Sequence, residues 1–506
     1  MRCTQGFILL AAFALVSTIT ADELPQQTKE DNIFQRTFQR LHQEPPPPES
    51  TSRNRANIEY LEIEQKLDNF NESETRTWQM RYISNDEFYQ EGSPFFIFVG
   101  GEWEISTGYV TGGHLYDLAK EHNGYLFYTE HRYYGQSLPT SNMDNENIQY
   151  LGVRQALADL AHFIEHMRET IPGASQSKVI IAGGSYSATM VTWFKKLYPE
   201  LATGAWASSA PLFAKVNFVE YKEITGQSIR LVAGEQCYNR IQNGIAKMEE
   251  LFANKRGAEV KAILKLCDAF DEYNDLDLWT LFSEISDIFA GVVQTHNTGQ
   301  IESVCNKIME GEDDISGVAG YLLTQFNSNT CNLLTYKAII ASMMDSTFDN
   351  NIMRQWIYQT CNEFGWYQTS GSRQQPFGTK FPVTLYTQMC ADIYGERFTN
   401  EFIYNQVQAT NELFGGLAPN VENVYFTHGQ LDPWRAMGIQ NETQATILPL
   451  YAHCKDFGSI SDRDSNEMRA SKEKFAQLVR QWISADSDVD SVANNKAKSF
   501  LNKLRN

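Results

Sequence analysis

The chain has 506 residues, 42% of them hydrophobic and 12% aromatic, which is enough to bury a sizeable core across about two to four domain-sized units. Its formal charge of −20, with no basic run to offset it, argues against nucleic acid and anionic membrane surfaces as partners. No H-E-x-x-H pair, paired C-x-x-C or phosphate-binding glycine loop is present, so no metal or cofactor is implied.

Residues 1–21 carry one early cation, Arg2, then an apolar run over 7–16 and a small polar stretch before Asp22. This pattern predicts a cleaved secretory signal, because the apolar run is too short to span a bilayer. Residues 22–57 are polar and contain Pro45-Pro46-Pro47-Pro48, which predicts a flexible, extended, poorly packed segment, either a pro-segment or a loose N-terminus. From 58 to 212 strands and helices alternate, with strands expected at 95–99, 125–128, 179–182 and 205–208 and helices at 153–167 and 188–198. Such alternation predicts β-α-β units and a largely parallel sheet.

Between 213 and 377 the periodicity turns helical, and this stretch with its near surroundings holds Cys237, Cys267, Cys305, Cys331, Cys361 and Cys390. An inserted, disulfide-bonded helical domain follows, with three bridges and Cys454 left over. Over 378–485 the alternating pattern returns, with strands near 424–427 and 446–450. A closing helix presents Phe475, Leu478, Val479, Trp482 and Ile483 on one face. Residues 486–506 form a polar tail. The sequons at Asn71 and Asn441 fit an oxidising, secretory route.

The strand expected at 179–182 runs into Gly183-Gly184-Ser185-Tyr186-Ser187-Ala188, the layout of a nucleophile elbow. A turn this sharp holds the serine in a strained conformation with its hydroxyl exposed above the strand ends. A serine needs a base, and the base needs a carboxylate to hold its tautomer. Three histidines follow Ser185 in the chain, His296, His428 and His453. His296 falls in the helical insertion, and His428 precedes the best acid, Asp432, where the order Ser, Asp, His requires the base to follow it. His453 remains, so the candidate triad is Ser185, Asp432 and His453. For the oxyanion hole the backbone N–H of Tyr186 supplies one donor, and Gly100-Gly101 after the third strand suit the other.

With these residues in place, the chain resembles the serine exopeptidases comprising prolyl carboxypeptidase, dipeptidyl peptidase II and thymus-specific serine protease. The resemblance spans roughly residues 67–483 and rests on Leu67-Asp68-Asn69-Phe70, Gly100-Gly101-Glu102, Glu130-His131-Arg132-Tyr133-Tyr134-Gly135, the Gly-Gly-Ser-Tyr elbow, Gly429-Gln430-Leu431-Asp432-Pro433-Trp434 and Ala452-His453. Cys454 after the histidine is closer to the thymus-type and invertebrate members. The resemblance implies an α/β-hydrolase fold with an inserted helical cap, the same triad, and short peptide substrates with proline or a small residue before the scissile bond. Ser187-Ala188 stand where relatives often carry glycine, which puts the width of the site beside the nucleophile in question.

Glu102, beside the oxyanion glycines, is expected to meet a substrate ammonium, which favours dipeptidyl release over carboxypeptidase action; a structural pairing with Arg132 is the alternative. Trp434 is a second expected substrate contact. The competing functions are a prolyl-type carboxypeptidase, a catalytically silent binding protein on the same fold, and an esterase. A secreted or lysosomal location is expected, with monomer or homodimer left open.

Overall fold

In the computed structural model, residues 33–52, 57–326, 330–348 and 352–503 are described, with backbone alone over 486–503. The expected signal at 1–21 lies outside them. Eight strands form one sheet: β1 (Ile58–Lys66), β2 (Thr77–Asn85), β3 (Phe95–Val99), β4 (Tyr125–Thr129), β5 (Val179–Gly184), β6 (Gly204–Ser208), β9 (Val424–Gly429) and β10 (Ala445–Leu448). A separate parallel pair is made by β7 (Lys215–Asn217) and β8 (Gly365–Tyr367).

The sheet order is β1-β2-β4-β3-β5-β6-β9-β10. The first two pairings are antiparallel and every later one is parallel. Strands β3, β5 and β6 are buried along their whole length, as expected of parallel strands covered on both faces. That is why they read as unbroken apolar runs. β1 instead alternates, with Ile63 and Gln65 buried between exposed Glu62, Glu64 and Lys66.

Before the sheet stands α1 (Ile33–Leu41). Within it, α2 (Gly108–Thr111), α3 (Gly113–Glu121), α4 (Val153–Thr170) and α5 (Tyr186–Leu197) connect the strands. One face packs on α4 and α5 through Leu157, Leu160, Ile164, Val191 and Trp193. The other packs on α2, α3 and the closing α-helix through Tyr109, Leu115, Phe475 and Val479.

The helical insertion comprises α6 (Glu220–Ala233), α7 (Glu235–Ala253), α8 (Gly257–Ile263), α9 (Asp275–Gln294), α10 (Gln300–Met309), α11 (Asp314–Gln325), α12 (Tyr336–Met344), α13 (Met353–Gln359), α14 (Val383–Tyr394) and α15 (Asn400–Phe414). Its core is continuous from Ile229 on α6 to Val407 on α15, so the helical layer continues past residue 377. Three disulfides tie it: Cys237–Cys305, Cys267–Cys331 and Cys361–Cys390. Cys454 is buried and unbridged. The last helix, α16 (Asn466–Lys503), carries on through 486–503, where sequence reading expects a polar tail.

The expectation of a loose segment over 22–57 is corrected for residues 33–52. Ile33, Phe34 and Thr37 of α1 are buried, with Phe38 and Leu41 half-buried on the same side, against the core that contains α9. The proline run lies over Gly108, Gly112 and Gly113, where an added Cβ would come within 2.4 Å of Pro47, 2.1 Å of Glu49 O and 2.4 Å of Pro48. Composition hides this packing, because the segment is polar and the tetraproline cannot itself be helical.

Candidate active site

Strand β5 delivers Ser185 to the start of α5 with φ 58° and ψ −130°, a left-handed conformation that costs a non-glycine residue energy. The turn is held by Ser185 N–H donating to Ser208 O at 3.0 Å on the neighbouring strand. Glycine is required before it: a Cβ on Gly183 would lie 2.5 Å from Ser187 O, and one on Gly184 3.0 Å from Pro45 and 3.1 Å from Cys454 Sγ. Ser187 does not narrow the cleft. Its fully buried hydroxyl accepts from Gly184 N–H at 2.9 Å and donates to Gly184 O at 3.0 Å, closing the elbow from inside.

Asp432 follows β9 and His453 follows β10, and the two meet with Nδ1 2.9 Å from Oδ1. The same Oδ1 accepts from Trp434 N–H at 2.9 Å, so the turn that places Asp432 also satisfies it. Burial works against the Asp432 carboxylate, but the adjacent His453 outweighs it and leaves the pKa below the ordinary value. For His453 burial works against the charged ring, and the Asp432 carboxylate prevails, holding the pKa well above its usual value. His453 Nε2 is buried without a hydrogen-bond partner among the described residues, and Ser185 and His453 line one cavity. His428 is elsewhere engaged. It lies 3.0 Å from Ile439 O, and burial drops its pKa to about 4.

The loop bearing His453 has a brace that sequence reading missed. Asp456, fully buried, accepts from Ser208 Oγ at 2.6 Å and from Thr427 Oγ1, joining the ends of β6 and β9. Cys454 N–H donates to Ser209 Oγ at 3.0 Å. No spacing rule in the sequence flags these contacts.

Tyr186 begins α5, so its N–H belongs to the unpaired first turn of a helix. Of the two glycines, Gly100 commits its N–H to Thr129 O at 2.8 Å. Gly101 has no room for a side chain, since a Cβ would come within 2.5 Å of the Trp103 ring. Glu102 does not pair with Arg132, which donates from Nε and Nη2 to the two oxygens of Asp159, each at 2.7 Å. Instead Glu102 Oε1 lies 3.4 Å from His42 Nδ1, and its Oε2 is buried without a partner among the described residues. Trp434 does not line the cavity. It packs against Phe218, Tyr221 and Trp366 and donates Nε1–H to Gln294 Oε1 at 2.9 Å.

The sheet order, the elbow between β5 and α5 and the helical insertion define an α/β-hydrolase fold with a cap. Within that class the chain belongs to the family Serine carboxypeptidase S28, whose profile matches residues 65–475, and it is a serine peptidase. It is 30% identical to the Caenorhabditis elegans protein K12H4.7 over 95% of this chain and 99% of that one. It is 28% identical to the mouse thymus-specific serine protease, covering 83% of this chain and 87% of the relative. The mouse lysosomal Pro-X carboxypeptidase is 26% identical, covering 84% and 89% respectively.

Proposed function

We propose that the protein is a serine exopeptidase that releases dipeptides from short peptides, with Ser185, Asp432 and His453 as its triad. Ser185 Oγ attacks the scissile carbonyl carbon while His453 Nε2 takes the hydroxyl proton. The C–N bond then breaks as the imidazolium returns that proton to the leaving amine. Water, deprotonated by the same ring, hydrolyses the acyl-enzyme and frees Ser185. The N–H groups of Tyr186 and Gly101 stabilise the oxyanion.

The observation that carries the dipeptidyl reading is Glu102: a buried carboxylate beside Gly101 that has, among the described residues, one oxygen unpartnered and no lysine or arginine paired with it. An ammonium one dipeptide away from the scissile bond would satisfy it. Lys455, which lines the cavity beside His453, favours the second reading, a carboxypeptidase holding a substrate carboxylate. The disulfides and the exposed sequon residues Asn71 and Asn441 support a glycosylated protein of the secretory route, secreted or lysosomal. Among the described residues no helix is long and apolar enough to cross a membrane.

The test is dye release from Xaa-Pro and Xaa-Ala reporters with free or blocked N-termini, by the wild type and Ser185→Ala from acid to neutral pH. Dependence on the free amine, with a loss of about 10⁶ in kcat in the variant, is expected. Turnover only of peptides with a free carboxylate would move the assignment to a carboxypeptidase. No turnover by the wild type of peptide or ester would leave a silent binding protein.

A further inference from the structure

The cavity that holds Ser185 and His453 is roofed by the chain's own N-terminal segment: Arg40, Leu41, Gln43, Glu44, Pro45 and Pro46 line it. Only about 30 Å³ of free volume remains there, room for about two waters and too little for a dipeptide. The segment is not merely laid across the opening. Glu44 accepts from Ser106 Oγ at 2.9 Å and Tyr128 OH at 3.0 Å, and Pro45 O accepts from Tyr109 OH at 2.9 Å. His42 sits on Glu102, the carboxylate assigned above to a substrate ammonium.

One contact is made to main chain beside the triad. Gln294, the last residue of α9 and almost fully buried, donates Nε2–H to Leu41 O at 2.6 Å. Its orientation is fixed. Trp434 Nε1, which can only donate, lies 2.9 Å from Gln294 Oε1, and Tyr221 OH donates to the same oxygen at 2.6 Å. The carboxamide N–H is therefore forced into the cleft. The residue is also held between two triad members, because Trp434 caps Asp432 and His453 N–H donates to Gln294 O at 3.2 Å.

We propose that the cleft filled by residues 37–46 is the peptide-binding cleft, and that Gln294 anchors the substrate main chain through the carboxamide N–H now held by Leu41 O. The proposal rests on the peptidase reading above. It makes the N-terminal segment a tethered competitor that a peptide must displace, with His42 standing where a substrate amine goes.

Gln294→Glu keeps the acceptor for Trp434 and Tyr221 but loses the donor, replacing it with an oxygen that repels a carbonyl. Measured in a chain whose α1 is already loosened by Phe34→Ala/Phe38→Ala, so that the lost Leu41 contact does not offset the lost substrate contact, KM for a free-amine dipeptide reporter is expected to rise at least tenfold, about 1.4 kcal/mol, with kcat falling less than threefold. That penalty shrinks as the pH falls and the introduced acid regains a proton to donate, which a purely structural defect would not do. An unchanged KM, or a fall in kcat alone, would overturn the anchor.

Should that variant fail to fold, Phe34→Ala/Phe38→Ala loosens α1 while leaving the cleft intact. KM is then expected to drop severalfold, and an unchanged KM would overturn the competition. Labelling with a fluorophosphonate, which reads Ser185 without any peptide carbonyl, runs alongside. Labelling at Ser185 together with unchanged KM values in the variants refutes this proposal alone, whereas no labelling of either the wild type or the loosened Phe34→Ala/Phe38→Ala variant refutes the peptidase reading beneath it.

Discussion

Asp432 is fully buried, and its charge is sustained chiefly by His453, with His428, Ser209 and the backbone N–H of Trp434 assisting. The same pairing holds the His453 pKa above its usual value, so in the proposed mechanism activity is lost on the acid side as His453 takes a proton. Asp432→Asn removes the charge that stabilises the imidazolium. The His453 pKa then falls, so the acid limb of kcat/KM moves to lower pH even as kcat drops by about 10⁴. A pH–rate profile of the variant checks this, and a limb that stayed put or moved up would contradict the pairing. At this scale the candidate triad was readable because three chemical types follow three strands in a fixed order. Gln294 and Asp456 were not, because each is defined by partners distant in the chain, 140 and 73 residues away for Gln294 and 248 residues for Asp456 and Ser208.

Among the elements, the parallel strands were legible because burial on both faces demands unbroken apolar runs: 95–99 is reproduced as β3, and 424–427 lies inside β9. β1 and β2 were not, since their alternation leaves half the residues polar. α1 was masked by the prolines that follow it. Its docking has an electrostatic consequence. Glu284 on α9 is buried against Thr37, and burial pushes its pKa up to about 8 against the hydrogen bond donated by the Thr37 hydroxyl, with Asp287 adding to the rise and Lys222 and Arg36 opposing it. Were α1 to leave, water would reach Glu284 and its pKa would move back towards the ordinary 4.5. The undocked form then binds fewer protons across that interval, so docking weakens as pH rises from about 4.5 to about 8. Hydrogen exchange of amides 33–41, corrected for intrinsic rates, should show less protection at pH 8 than at pH 5. Glu284→Gln should flatten the difference, and equal protection in the wild type at both pH values would refute the linkage.

For the molecule as a whole, the insertion was legible because its periodicity changes from strand to helix and its cysteines cluster. Its reach to Phe414 was not, since α14 and α15 read locally like any helices flanking a sheet. The site is shared across this division: the sheet carries Ser185, Asp432 and His453, while the cap carries Gln294 and the wall that faces α1 in the neighbouring cavity, from Ser283 to Met389. All three disulfides lie within the cap, closing separations of 68, 64 and 29 residues, and none reaches a strand of the main sheet. Each restrains the unfolded cap by about 3.5–4.5 kcal/mol in the chain-entropy account, and leaves the sheet unaffected. Reduction under native conditions should therefore lower the melting of the cap and not that of the sheet. Calorimetry with and without reductant is expected to turn one transition into two, the upper one unmoved. The Gln294 donor travels with the cap, so KM should rise near the lower transition, while fluorophosphonate labelling of Ser185 persists until the upper one. A single transition that shifted as a unit would mean that the cap and the sheet unfold together and that the cap's bridges brace the catalytic sheet itself.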